Sequence, residues 1–194
     1  MALGATIYKA TLEISDLDRG WYGTRHLTIA CHPSETESRM MVRVLAFALY
    51  ASDKLEFGRG ISADDDADLW ETNEAGDIGR WIDVGTPDNK SLRRAAGKSD
   101  DVVVLAYDDA KVEPWWASNK GDFGKINKLT ILRITDEERE ALAGMCNRNM
   151  HLAATIQDGT VWMADDEQNL ELHIGCLMRR GEPCLLYTSP SPRD

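Results

Sequence analysis

The run Asp101-Val102-Val103-Val104-Leu105-Ala106-Tyr107 limits this chain more than any other feature. A strand with one wet face alternates apolar and polar side chains, and this run does not. It is expected as a central strand buried on both faces, so the fold must place layers above and below it. Helical patterns supply those layers. Ser34–Ala51 carries Met40, Val44 and Phe47 in one stripe, with Met41, Leu45 and Leu49 beside it. His32-Pro33 precedes it, and Ser34 with Glu37 three residues on predicts a capping box. Asp88 predicts the cap of a second helix running to about Gly97. Glu113–Asn119 reads as a short helix, and Thr135–Cys146 as a helix capped by Thr135 with Glu138.

Strand patterns fill the intervals. Ala5–Ile14 and His26–Cys31 predict an antiparallel pair joined by a loop that is long for a hairpin. Leu55–Ser62, Ala67–Glu71, Arg80–Gly85 and Leu129–Ile134 follow as strands or strand-like segments. Met150–Gln157 and Thr160–Ala164 flank Asp158-Gly159, a hairpin turn by composition, and Asn169–Ile174 is expected as the last strand. The order predicts an α/β fold: a mixed central sheet flanked by helices, plus an antiparallel, hairpin-rich second sheet. Residues 1–184 read as a single domain. Residues 185–194 (LLYTSPSPRD) have no apolar period and resemble translated sequencing adapter, so they are set aside as a non-native tail.

Composition narrows the function classes. With 43% apolar and 28% charged residues, the 194-residue chain is globular in type. Its net charge of -11 argues against a general electrostatic grip on nucleic acid. Cys31, Cys146, Cys176 and Cys184 show no metal-ligand spacing and read as reduced thiols. No signal peptide and no span of membrane length is visible, so a cytoplasmic location without a membrane partner is expected.

No Walker-type phosphate loop, dinucleotide fingerprint, HExxH zinc motif or GxSxG elbow is present. His26, His32, His151 and His173 are scattered and read as structural. What remains is carboxylates near the middle strands. Trp81 and Asp83 share one face of a strand, while Ile82 and Val84 take the other. An Asp in so apolar a strand is costly to bury unless it is paired or binds a metal. A salt bridge from Asp83 to Arg93 or Arg94 and a metal role are equally open on spacing alone. Other candidates carry plain structural readings too. Glu35 can pair with Arg39 one turn on. Asp64–Asp66 read as a solvated loop, Trp115-Trp116 as hydrophobic anchors, and Glu37 as a cap partner.

Several blocks together carry a resemblance: Ala5-Thr6-Ile7-Tyr8-Lys9-Ala10, His32-Pro33-Ser34-Glu35-Thr36, Arg39-Met40-Met41-Val42-Arg43, Asp68-Leu69-Trp70, Trp81-Ile82-Asp83-Val84-Gly85-Thr86-Pro87-Asp88, Ala154-Thr155-Ile156-Gln157-Asp158-Gly159 and Asn169-Leu170-Glu171. From Ala2 to about Ile174 the chain resembles the bacterial YaeQ family. The resemblance implies a variant of the PD-(D/E)XK nuclease fold, with a restriction-endonuclease-like core. It makes Glu35 the helix acid, and Asp68 and Asp83 the strand acids that would hold Mg²⁺. Ala67 stands where that motif has Pro, and Gly85 where it has Lys. The missing charge is then expected from Lys90, Arg93 or Arg94, and Arg94 cannot act as a base because it stays protonated. Two functions follow as expectations: a Mg²⁺-dependent nuclease, with Glu35, Asp68, Asp83, Lys90 and Arg94 as its catalytic set, or a non-catalytic module binding protein or nucleic acid.

Overall fold

The computed structural model describes residues 4–58 and 65–184. Its strands form two sheets, and four helices accompany them. The first sheet opens with β1 (Thr6–Asp16) and β2 (Trp21–Cys31), paired antiparallel from Thr6↔Cys31 to Asp16↔Trp21. The joining loop is therefore short, and β2 starts well before the expected His26. Residues 21–26 alternate only between half-buried and exposed, and of them only Trp21 packs against the core. Their faint apolar contrast hid them from the pattern. β8 (Asn149–Gln157) joins the free side of β1 in parallel, then pairs with β9 (Thr160–Ala164), and β10 (Asn169–His173) completes the sheet. Asp158 and Gly159 both have positive φ (54° and 75°), the backbone that the expected tight hairpin turn demands.

The second sheet is mixed and seven-stranded, in the order β12-β11-β7-β6-β5-β4-β3. Its strands are β3 (Leu55–Phe57), β4 (Leu69–Thr72), β5 (Ile78–Val84), β6 (Ser99–Ala106), β7 (Leu129–Arg133), β11 (Gly175–Arg179) and β12 (Glu182–Pro183). β5, β6 and β7 are parallel, and β6 lies at the centre. Its side chains alternate between two cores, as a strand covered on both faces must. Val103 and Leu105 face a core shared with α1 (Glu37–Tyr50) and the first sheet. Val102, Val104 and Ala106 face a core with α2 (Asn89–Lys98) and α3 (Asp109–Phe123). Every residue of α1 from Met40 to Ala48 is buried, including Arg43, so this helix has core around its whole girth.

Several local expectations are corrected. The cap of α1 is Thr36, whose side chain accepts from Arg39 N–H, and Ser34 Oγ instead meets His32 Nδ1 at 2.7 Å. Glu37 thus sits in the first helical position, where its carboxylate accepts from the Tyr8 hydroxyl at 2.6 Å. α3 is longer than the short helix expected and runs through Pro114. Its start is held by α4 (Asp136–Ala143): Asp109 N–H donates to Asp136, and Asp136 N–H donates back to Asp109. Such a reciprocal cap spans distant residues and leaves no local sequence signal. The Thr135/Glu138 capping box forms as expected. β10 is not the last strand, since β11 returns to the second sheet beside β7. That return brings Cys176 to Cys184, with 5.9 Å between Cα atoms, and they form a disulfide. Cys31 and Cys146 remain thiols. The proposed non-native tail, residues 185–194, lies outside the described residues, as does most of the Gly58–Asp64 segment.

Leu12 is fully buried on β1, between β2 and β8. Leu12→Ala removes packing on a strand that both hairpins share. The expected loss is about 3 kcal/mol, read as a lower urea midpoint with unchanged slope.

Candidate acidic centre at the carboxyl edge of the parallel strands

The centre is assembled by β-sheet register and by one helix stripe. Leu69 pairs with Ile82 across β4 and β5, which brings Asp68 alongside Asp83 and Val84. Asp68 N–H donates to Asp83 Oδ1 at 3.3 Å, and Val84 N–H donates to Asp68 Oδ2 at 2.9 Å. Asp83 Oδ2 accepts from Trp81 Nε1 at 2.9 Å, so the shared face of Trp81 and Asp83 becomes a direct hydrogen bond. Burial, then the neighbouring charge of Asp68, pushes the Asp83 carboxyl up to about 6.

From the other side come Glu35, on the bend just before the Thr36 cap, and Arg39 and Arg43, one turn apart on α1, so the expected helix acid lies outside the helix. Glu35 is buried and accepts two bonds from Arg43, both 2.8 Å, and one from Arg39 Nη1 at 3.0 Å. Arg39 Nη2 lies 2.8 and 3.0 Å from the two Asp68 oxygens. The result is an alternating row, Arg43–Glu35–Arg39–Asp68, ending on Asp83. The pairing of Glu35 with Arg39, open from spacing alone, is present.

The structure brings together Glu35, Asp68 and Asp83 and places the α2 cations elsewhere. Arg94 engages Asp65, Arg93 faces Asp122 at 3.9 Å, and Lys90 is on the exposed face of α2. Asp83 makes neither of the salt bridges considered for it. Among the described residues the side-chain cation that reaches Asp68 is Arg39, which the sequence offered only as a partner for Glu35. A usable signal was Arg43, a charge set within the apolar run Met40–Ala48 of α1. Such a charge requires a buried acid, and Glu35 is eight residues away.

Gly85 is explained by its backbone. Its φ is +101°, and a Cβ there would lie 3.7 Å from Tyr107 Cε1 and 3.9 Å from the Tyr107 oxygen. That backbone strains any side chain, so lysine is disfavoured there irrespective of charge. Trp115 donates to Pro87 O at 2.7 Å and packs on Phe123 at 5.0 Å, an anchor for the loop that follows Gly85. A cavity of about 1070 Å³ lies apart from the acids, with Glu137, Leu170, Glu171 and Leu172 among its walls.

The donor chemistry can be tested against a divalent ion. Among the described residues no group of three or more His, Cys, Asp or Glu side chains is arranged to hold a metal, which argues against an all-protein cage. Mg²⁺ is usually held by one or two carboxylates, with water and phosphate completing its shell. Asp68 and Asp83 match that set in kind and number, provided Arg39 yields an Asp68 oxygen.

These features define a two-sheet α/β protein with an acid–arginine centre where strands β5 and β6 end. The chain belongs to the YaeQ family: the family model "YaeQ protein" matches residues 1–174. It is 40% identical over 174 residues to the Escherichia coli (strain K12) "Uncharacterized protein YaeQ", covering 90% of this chain and 96% of that protein. The Salmonella typhi protein of the same description is 39% identical over the same shares. Among solved structures, the YaeQ protein from Xanthomonas axonopodis pv. citri matches with TM-score 0.86 and 43% identity, over 89% of this chain and 97% of that one. The YaeQ protein from Pseudomonas syringae matches with TM-score 0.86 and 34% identity, over 91% and 98%. Among the described residues, no helix is long and apolar enough to cross a membrane.

The Asp83 shift predicts a pH dependence of stability. Its carboxyl binds a proton more tightly folded, at about 6, than at the ordinary 3.8. Between those values the folded state carries the extra proton, so this contribution is complete below about pH 4 and is lost as pH rises through 6. The loss amounts to about 2–3 kcal/mol. Chemical denaturation across pH 4–7 should show this slope in the native chain and a flatter one in Asp83→Asn.

Proposed function

We propose that the chain is a cytoplasmic, metal-dependent phosphodiester hydrolase of nuclease type, built on a variant PD-(D/E)XK, restriction-endonuclease-like core. The observation that carries this reading is the convergence of Asp68 and Asp83 at the carboxyl edge of β5. An acid pushed up by burial and by a neighbouring carboxylate, as Asp83 is, recurs at functional sites, and a cation relieves the repulsion. The layout supports the core assignment: three parallel strands, an antiparallel edge of β4 and β3, and a preceding helix that brings two arginines, with Glu35 just before its cap. Mg²⁺ held by Asp68 and Asp83 would supply Lewis acidity toward phosphate oxygens. The chain's own residues divide the remaining work. Arg43 locks Glu35, Glu35 orients Arg39, and Arg39 presents a planar fork suited to a phosphate once released from Asp68. Trp81 and the Asp68 N–H fix the Asp83 oxygens.

A second reading, a non-catalytic module that binds protein or nucleic acid on the same fold, is favoured by two observations. The backbone at Gly85 disfavours the lysine of the nuclease motif, and Arg39 already neutralises Asp68. The two readings give opposite results in one set of measurements. The hydrolase reading expects Mg²⁺ or Mn²⁺ binding by calorimetry, weakened at least tenfold by Asp83→Asn or Asp68→Asn, together with cleavage in a DNA and RNA panel. No heat of metal binding and no cleavage, with a stoichiometric partner recovered by both native chain and Asp68→Ala, would establish the module instead.

A further inference from the structure

We infer that Arg39 is a resident cation that competes with a divalent ion for Asp68, so that this arginine sets the metal affinity of the centre. The inference rests on the metal-dependent reading and adds a residue that controls it. Three observations carry it.

First, Arg39 is surplus to Glu35. Arg43 already meets both Glu35 oxygens at 2.8 Å, so Glu35 keeps a forked partner without Arg39. Second, Arg39 is needed by Asp68. Its Nη2 contacts both Asp68 oxygens, and the only other donor recorded for that carboxylate among the described residues is Val84 N–H. Without Arg39, the buried Asp68 and the half-buried Asp83 beside it keep no side-chain cation among the described residues. Third, Arg39 is open to solvent where Arg43 is not. The Arg39 side chain is 18% exposed, against 1% for Arg43, which is also tied to Ala30 O at 3.0 Å.

An ion entering this centre must therefore break a two-point, charge-assisted contact before it gains Asp68. Arg39 need not leave altogether, because its Nη1 bond to Glu35 remains as a pivot. The same swing frees its Nη2 at the moment the ion arrives. The arginine is thus a positioning residue as well as a competitor.

The test measures Mn²⁺ binding by electron paramagnetic resonance at pH 8, where Asp83 has lost its proton, with no substrate present. It compares the native chain, Arg39→Ala, Arg39→Lys, Asp68→Asn and the double variant Arg39→Ala/Asp68→Asn. Near-UV circular dichroism and urea midpoints establish that each is folded. If Arg39→Ala fails to fold, Arg39→Lys, which keeps the charge but loses the fork, carries the comparison. The expected result is about tenfold tighter Mn²⁺ binding in Arg39→Ala, a smaller gain in Arg39→Lys, and loss of the gain in the double variant. Equal or weaker binding in both Arg39 variants, with the native chain still binding through Asp68, overturns the inference and leaves the metal-dependent reading intact. A gain that survives in the double variant also overturns it, because the ion then sits on surface acids of this acidic chain. No Mn²⁺ binding by any variant overturns both.

Discussion

The charge row Arg43–Glu35–Arg39–Asp68 is the interaction on which the centre depends, because Arg43, Glu35 and Asp68 are too desolvated to stand alone. Arg43 and Glu35 are withdrawn almost completely from water. Removing one of such a pair leaves an uncompensated buried charge, which costs several kcal/mol, even where the pair itself adds little net stability. The row therefore acts more as a specification than as a source of stability. It fixes the rotation of α1 about its axis, since one stripe of the helix carries Arg39 and Arg43 and must face Glu35, which precedes the cap. It also ties that helix to the start of β4, which the hydrophobic core could not do alone. A core of Met, Val, Leu and Ala all around α1 tolerates several rotations, and the buried ions tolerate one.

The strand register performs the complementary task. Asp68 lies just before β4, where a side-chain oxygen replaces the ladder partner of Val84 N–H. The sheet thus delivers one acid through a backbone contact and the other, Asp83, through a strand position with Trp81 as its brace. Gly85 then turns the chain in a left-handed conformation toward α2, over the Tyr107 ring that ends β6. Ligands of open α/β sheets bind at the carboxyl ends of the strands, where such turns gather. The cost of this turn is that position 85 is poorly suited to the lysine of the nuclease motif. A cation must arrive from another element, and α1 is the element that supplies it.

Much of this was legible in the sequence for identifiable reasons. The apolar run 101–107 marked the central strand because burial on both faces abolishes alternation. Asp158-Gly159 and the Thr135/Glu138 box were legible because their causes lie within a few residues. The cap of α1 was misplaced to Ser34 because Ser, Glu and Thr crowd residues 34–37 and only the buried Arg43–Glu35 contact selects Thr36. The start of β2 and the mutual caps of α3 and α4 depend on partners far along the chain. The acids of the centre were legible as residue types, Asp83 most clearly, as a charge inside an apolar strand. Arg39 was not, because its decisive partner Asp68 lies 29 residues away, while Glu35 sits one turn off and satisfies the local rule.

A charge count links these points to the acidity of the whole chain. Three carboxylates (Glu35, Asp68, Asp83) and two guanidiniums (Arg39, Arg43) sum to 2 − 3 = −1 when all are ionised. Burial, and then the charge of Asp68, raise the Asp83 carboxyl to about 6, so a proton is the simplest neutraliser of that single excess charge. On the metal-dependent reading, a divalent ion replaces that proton and brings the sum to −1 + 2 = +1. The change matters because the chain as a whole carries -11 and repels polyanions at long range. Local sign inversion would then be the means by which so acidic a protein offers a phosphodiester a positive centre. Its reach would be short, about a Debye length of 8–10 Å at ordinary salt. Recognition of nucleic acid on these terms would begin only at contact, with the ion already bound and Arg39 already turned from Asp68.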